Sequence, residues 1–314
     1  MHKFIIRRLL RSVPVLFGVS AAVFFLMRLV PGDAVDAMLG GLMREDTAAQ
    51  MRRLFGLDQP IHVQYVRWLG SVLQGDLGVS LRTGRLVTAE ILAVLPATVE
   101  IALFAAIAGS ILGISLGLLA AIRQNTGLDA IVVLFGYLGV AIPGFWLGTL
   151  LIMVFGVWLH LLPAGGYADF ASDPAANLRY ALLPTTTLAL PFAAGVMRIT
   201  RSCVLEVLHM DYVSVARSKG LTERVVVWRH VLRNAMISIV TFVGMLFGFL
   251  LGGSVVAEAV FVRPGVGRLL LISIQMRDYA VVQGITLFFA LVFMASNLVV
   301  DILYGVIDPR ISVE

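Results

Sequence analysis

Six stretches of this chain, at roughly residues 12–30, 97–122, 129–158, 180–199, 235–258 and 281–305, are mostly apolar over the ~20 residues a helix needs to cross a hydrocarbon core. No water reaches backbone amides in lipid, so such stretches must satisfy their hydrogen bonds internally and fold as helices. Composition agrees. Only 14% of the 314 residues are charged and 59% are hydrophobic, whereas a soluble domain carries about 25% charged residues. The predicted class is an all-α integral membrane protein with six transmembrane helices. Pro184 and Pro191 predict a kink in the fourth stretch. The third is long enough to tilt, or to break near Pro143-Gly144.

Charge placement predicts orientation. With the N-terminus inside, the inner segments hold Lys3, Arg7, Arg8, Arg11, Arg123, Arg198, Arg201, Arg217, Lys219, Arg224, Arg229, Arg233 and Arg310. The two short outer loops hold Arg179, Arg263, Arg268 and Arg277, a bias of thirteen against four. Both termini are therefore expected in the cytoplasm. The basic start followed by an apolar core resembles a signal peptide. However, the apolar run continues to Val30 with no A-x-A-like site after it, so it is expected to persist as the first span.

Three domains are predicted: residues 1–30 as the N-terminus and first helix, 31–95 as an external region, and 96–314 as a five-helix core containing a loop at 201–234. Residues 31–95 carry six arginines and seven acids and are punctuated by glycines. A short amphipathic helix is expected near Thr47–Phe55, and another over Pro60–Leu73. Tyr65 and Trp68 are expected at the membrane interface. In the core, Gly109, Gly113 and Gly117, and again Gly244, Gly248 and Gly252, repeat every four residues and allow close backbone approach. Static packing and a moving seam both fit such ladders.

Several chemistries are absent from the sequence. Lys3 and Lys219 are the only lysines, and neither sits in G-x-x-x-x-G-K-[ST], so there is no Walker A phosphate loop. Five scattered histidines and the single Cys203 make no metal-ligand spacing and no disulfide. No catalytic constellation and no cofactor site is expected, and nothing suggests nucleic acid as a partner. Glu100, Glu258 and Asp301 fall near predicted helix ends and are expected to be interfacial rather than an ion relay.

One polar, basic stretch separates two apolar segments: Asp211 to Val240, DYVSVARSKGLTERVVVWRHVLRNAMISIV. Asp211 can cap a short helix on which Tyr212, Ala216 and Lys219 stack. Gly220 fits the left-handed position that ends it. Thr222 can cap a second, amphipathic helix with Glu223 in its first turn. Such an elbow can seat in a groove of a soluble partner, or its arginines can simply set topology and touch lipid headgroups.

The elbow resembles the EAA-type coupling loop of ABC importer permeases, in the form found in the dipeptide/oligopeptide (also glutathione/nickel) permease family, first-permease type. The matching residues are Asp211, Tyr212, Val213, Ala216, Arg217, Lys219, Gly220 and Leu221, then Arg229, His230, Leu232, Arg233, Asn234 and Ala235. Further landmarks follow in order: Arg7-Arg8-Leu9, Leu29-Val30-Pro31-Gly32-Asp33, Gly75-Asp76-Leu77-Gly78-Val79-Ser80, Leu95-Pro96-Ala97-Thr98, Leu162-Pro163-Ala164-Gly165, Pro264-Gly265, Arg277-Asp278-Tyr279 and Asp308-Pro309-Arg310. Ser238 stands where the family usually has proline, Ser214 replaces the first Glu of the general motif, and Ala34 replaces a proline.

The resemblance implies a type I ABC importer permease fold in a bacterial or archaeal cytoplasmic membrane. It implies a second homologous permease as heterodimer partner, two ABC ATPase subunits and an external solute-binding protein. ATP and Mg would be bound by the ATPases, and this chain would not be an enzyme. Asp211, Tyr212, Ala216, Arg217, Lys219, Gly220, Leu221 and Arg224 would meet the ATPase. The cargo would be a di- or oligopeptide, or else glutathione, a nickel chelate, an opine or an oligosaccharide. An ion-coupled carrier would want mid-membrane acids, and a sensor or assembly factor would show no substrate-stimulated ATP hydrolysis in its complex.

Overall fold

The structure is a computed structural model that describes residues 2–29, 35, 45–54 and 56–307. The described chain is helical almost throughout: α1 (His2–Leu29), α2 (Glu45–Leu54), α3 (Ile61–Leu73), α4 (Val87–Ile122), α5 (Gly127–Ala141) and α6 (Gly144–Trp158). These are followed by α7 (Pro174–Leu208), α8 (Asp211–Ser218), α9 (Glu223–Val260), α10 (Val266–Gln275) and α11 (Tyr279–Ile307). Among the described residues five helices are long and apolar enough to cross a membrane, and there are six such spans if α5 and α6 count as one bent span.

Residue chemistry explains the ends and bends. α5 and α6 meet at 103°. Pro143 has no N–H to continue α5, and it holds Ile142 extended (φ −77°, ψ 121°). The third apolar stretch therefore breaks, and does not merely tilt. α7 begins with Asp173, whose carboxylate accepts from Ala176 N at 2.9 Å, and with Pro174 in the first turn. It then continues through Pro184 and Pro191 with no break like the one at Pro143. α4 starts ten residues before the predicted span and carries Pro96 inside it, so the expected boundary at 95/96 falls within a helix.

The chain divides into two compact units, Met1–Thr98 with Pro264–Met294, and Val99–Arg263 with Ala295–Glu314. In the first, Phe24 of α1 packs edge-on against Tyr65 of α3 (5.1 Å between ring centres) and lies 5.4 Å from Trp68. The Tyr65 hydroxyl meets Ser20 Oγ at 2.9 Å. Tyr65 is buried, its ring packed between α1 and α3. An apolar cluster of Val87, Ile91, Val266, Val281 and Ile285 forms a second core. Ser80 Oγ donates to Asp278 Oδ2 at 2.5 Å, pinning the Gly75–Ser80 turn to the start of α11. The turn itself is shaped by Asp76 Oδ1, which accepts from Gly78 N at 2.8 Å.

The second unit is organised around α7. A Cβ on Gly109 would lie 2.7 Å from Phe192 Cδ1, on Gly113 2.7 Å from Ala193 O, and on Gly117 2.5 Å from Met197 O. α4 and α7 are thus in backbone contact along three turns, as small residues permit. The second glycine series is not such a ladder. Gly244 meets Val300 of α11, Gly248 is buried, and Gly252 faces open space.

Candidate functional site

α8 is eight residues long, too short to be stable alone, so packing must hold it. Val213 and Ala216, three apart on one face, enter an apolar core. That core is built from Leu118 and Ala121 of α4, Val204 and Val207 of α7, and Val226, Val227, Val231 and Leu232 of α9. Residues Val226–Leu232 are π-helical. Their buried residues recur at intervals of five (Val226 with Val231, Val227 with Leu232), which matches an i→i+5 turn and keeps all four on one side.

The turn between α8 and α9 is set by Gly220, at φ +79°, whose N–H donates to Arg217 O at 2.9 Å. This left-handed backbone is the one predicted for it. Two capping expectations differ. Asp211 is the first helical residue of α8, after Met210 at the cap; its carboxylate makes no cap bond but lies in the first turn, where the helix dipole favours it. Thr222 is at the cap of α9 without a side-chain bond, although its carbonyl accepts from Val226 N at 3.0 Å. The second elbow helix is not separate either, because α9 runs unbroken from Glu223 to Val260. With Ser238 in place of a proline, the backbone N–H is present and nothing forces a bend there.

Of the residues predicted to meet a partner, Asp211, Tyr212, Arg217, Lys219, Gly220, Leu221 and Arg224 are exposed together. Trp228 and Val215 join them, at 60% and 53% exposure, and were not singled out from the sequence. Ala216 is buried, which corrects its assignment to the contact face: its small side chain lets α8 seat on the core. Tyr212 is held from behind, since its hydroxyl accepts from Asn234 Nδ2 at 2.9 Å, and that amide also donates to His230 O at 2.7 Å. Arg217 Nε pairs with Glu223 Oε1 at 2.7 Å across the turn. The face is a mostly basic ridge carrying exposed Trp, Tyr, Leu and Val side chains, suited to contact with a partner.

A second polar cluster lies far from the elbow in sequence. Arg263 is fully buried and pairs with Glu100 at 2.8 Å, while its guanidinium lies 4.7 Å from the Tyr167 ring centre. Asn177 Nδ2 donates to Glu100 Oε2 (3.1 Å) and Ala168 O (2.8 Å). Burial, with Glu100 and Asp169 nearby, holds the Tyr167 phenol above its ordinary pKa. Glu258 is also fully buried. Glu100 and Glu258 are thus enclosed by protein rather than open to solvent. The Asp301 side chain lies outside the described residues. Among the described residues no group of His, Cys, Asp and Glu could hold a metal ion.

Residues 113–313 match the family described as binding-protein-dependent transport system inner membrane component, and residues 1–102 match its N-terminal domain family. The oligopeptide transport system permease protein AppB of Bacillus subtilis (strain 168) is 38% identical, with 99% of this chain and all of AppB covered. The glutathione transport system permease protein GsiC of Salmonella paratyphi A (strain ATCC 9150 / SARB42) is 41% identical over 99% of each chain. A solved amino acid ABC transporter has the same fold, with TM-score 0.54 and 16% identity over 69% of this chain and 94% of that one. This chain is accordingly a member of the binding-protein-dependent transport system inner membrane component family, the membrane permease component of an ABC importer.

Proposed function

We propose that this chain forms half of a peptide translocation path, paired with a second homologous permease. In this reading two ABC ATPases seat on the elbow, and a solute-binding protein delivers cargo from outside. The observation that carries it is the elbow's geometry: an exposed ridge (Tyr212, Arg217, Lys219, Leu221, Arg224) on a helix whose other face is locked into α4, α7 and α9. A push on α8 is transmitted through Val213 and Ala216 to those helices. The glycine contacts of Gly109, Gly113 and Gly117 carry it along α7, because close-packed backbones move together.

The excess of basic residues in the elbow-side segments supports placing both termini and the elbow in the cytoplasm of a bacterial or archaeal cell. The lack of a phosphate-binding loop supports assigning ATP and Mg to the partner subunits, leaving no cofactor here. A peptide cargo is supported by relatives named for oligopeptide and for glutathione, itself a short peptide. The domain reading follows the same logic: residues 31–95 face the binding protein, and 96–314 carry the path and the elbow.

The test is ATP hydrolysis by this chain in liposomes with its partner permease, ATPases and binding protein. Turnover that rises when peptide-loaded binding protein is added supports the reading. Stimulation only by sugar- or metal-chelate-loaded binding protein would replace the cargo. Solute movement by the single chain along an ion gradient would replace the mechanism.

A further inference from the structure

Within the first unit, at the end of α1, lies a cavity of about 410 Å³. Arg28, Arg53 and Arg67 all line it, and among the described residues no aspartate or glutamate does. Arg28 is half-buried in the last turn of α1. Its Nε and Nη2 donate to Gln64 Oε1 (3.1 and 2.9 Å) and Nη1 to Phe24 O (3.1 Å), while its guanidinium sits 3.4 Å from the Phe24 ring centre. Every one of these partners is neutral. No carboxylate among the described residues compensates the charge of Arg28, Arg53 or Arg67.

Two more groups point the same way. Gln283, 2% exposed, and Trp68 both line the cavity, and the Gln283 Nε2 and Trp68 Nε1 are buried without a hydrogen-bond acceptor. Trp68 Nε1 can only donate. A buried donor left unsatisfied is costly, and a desolvated charge costs more when it is unpaired. A wall of cations and spare N–H donors, with no acid among the described residues, calls by its chemistry for an acceptor carrying negative charge. At ~30 Å³ per water, the cavity has room for such a group with part of its hydration shell.

We propose that this cavity binds an oxyanion, either the carboxylate or phosphate of a small solute or the phosphate of a lipid headgroup. Arg53 and Arg67 supply charge at the mouth, and Trp68 and Gln283 donate from the wall. Arg28 is the fixed inner cation, oriented by Gln64.

Trp68 provides the readout. The full chain with Trp146→Phe, Trp158→Phe and Trp228→Phe is placed in phosphatidylcholine nanodiscs, and Trp68 emission is followed during titration with acetate or inorganic phosphate at constant ionic strength. A saturable change is expected, and Arg53→Gln with Arg67→Gln, two exposed positions that leave the Arg28 pin intact, is expected to weaken it at least tenfold. If emission in phosphatidylglycerol nanodiscs is already shifted and free anions add nothing, the source is the headgroup. A response to free anions in phosphatidylcholine identifies a solute. No saturable response to acetate, phosphate or phosphatidylglycerol, or a response unchanged by the double substitution, overturns the proposal.

Discussion

Arg201 and Asp129 face each other through two parallel hydrogen bonds, Nε to Oδ1 and Nη2 to Oδ2, both 2.8 Å. Asp129 is buried and also accepts from Asn125 N (3.1 Å) at the start of α5, so one carboxylate ties the preceding turn to α7. The bidentate form holds α5 at a fixed rotation on α7, where Gly136 and Gly139 lie against Met197 and Ala194.

Removing one partner leaves the other charge partly desolvated. Asp129→Ala is expected to destabilise the detergent-solubilised chain by about 2–4 kcal/mol, between the values for exposed and buried pairs. Arg201→Ala should cost at least as much, because it leaves the more deeply buried of the two charges, Asp129, with only its backbone donor. A double-mutant cycle read by thermal unfolding checks the pair; additive single effects would show that the two groups do not interact.

The α4 glycines give a steric prediction with an internal control. Gly113→Ala places a Cβ against Ala193 O and Val196, and is expected to cost about 1–3 kcal/mol as overpacking. Gly252→Ala meets nothing within 4 Å and is expected to be neutral or to stabilise by about 0.5–1 kcal/mol. Equal loss of folded yield from the two variants would contradict the close α4–α7 contact.

At Gly220 the expectation is conformational rather than steric. A Cβ there touches nothing, but φ is +79°, so Gly220→Ala carries only the left-handed strain of about 1–2 kcal/mol. Gly220→Asp adds a negative charge to a basic ridge. Both are expected to insert and fold. Gly220→Asp is expected to lose most binding-protein-stimulated ATP turnover in the assembled importer, and full turnover in that variant would remove the elbow's turn from the coupling route.

Tyr212→Phe keeps the ring and removes the acceptor for Asn234. The expected loss is about 0.5–1.5 kcal/mol, together with weaker ATPase capture by the exposed face in a pull-down. Arg217→Gln breaks only an exposed pair with Glu223 and should move the unfolding midpoint by at most a degree or two. A large shift in Arg217→Gln would mean the turn depends on that pair and not on Gly220.

Fold class and the main landmarks were legible because they rest on local rules. Twenty apolar residues must be a helix in lipid, and a glycine before a new helix turns left-handed at Gly220; a proline can break a span, but that Pro143 breaks one while Pro96, Pro184 and Pro191 do not was decided by packing. The order of family landmarks likewise needs only the one-dimensional chain. What tertiary structure decided were the matters of which side chain faces which neighbour. Ala216 and Tyr212 lie four apart on the same short helix, yet one is buried and the other exposed, because α4, α7 and α9 cover a single face of α8. Glu100 and Glu258 fall near predicted span ends and Arg263 in a short loop, yet in the fold Glu258 and Arg263 are fully buried and Glu100 pairs with Arg263. The two glycine series look alike in sequence, yet Gly113 touches a backbone and Gly252 touches nothing. The π-helical stretch after Glu223 shifts the buried stripe from a period of 3.6 to one of five, so even the inward face of α9 awaited the packing of the core. Local propensity dictates what element forms; burial and pairing depend on contacts between residues far apart in the chain, which one dimension does not contain.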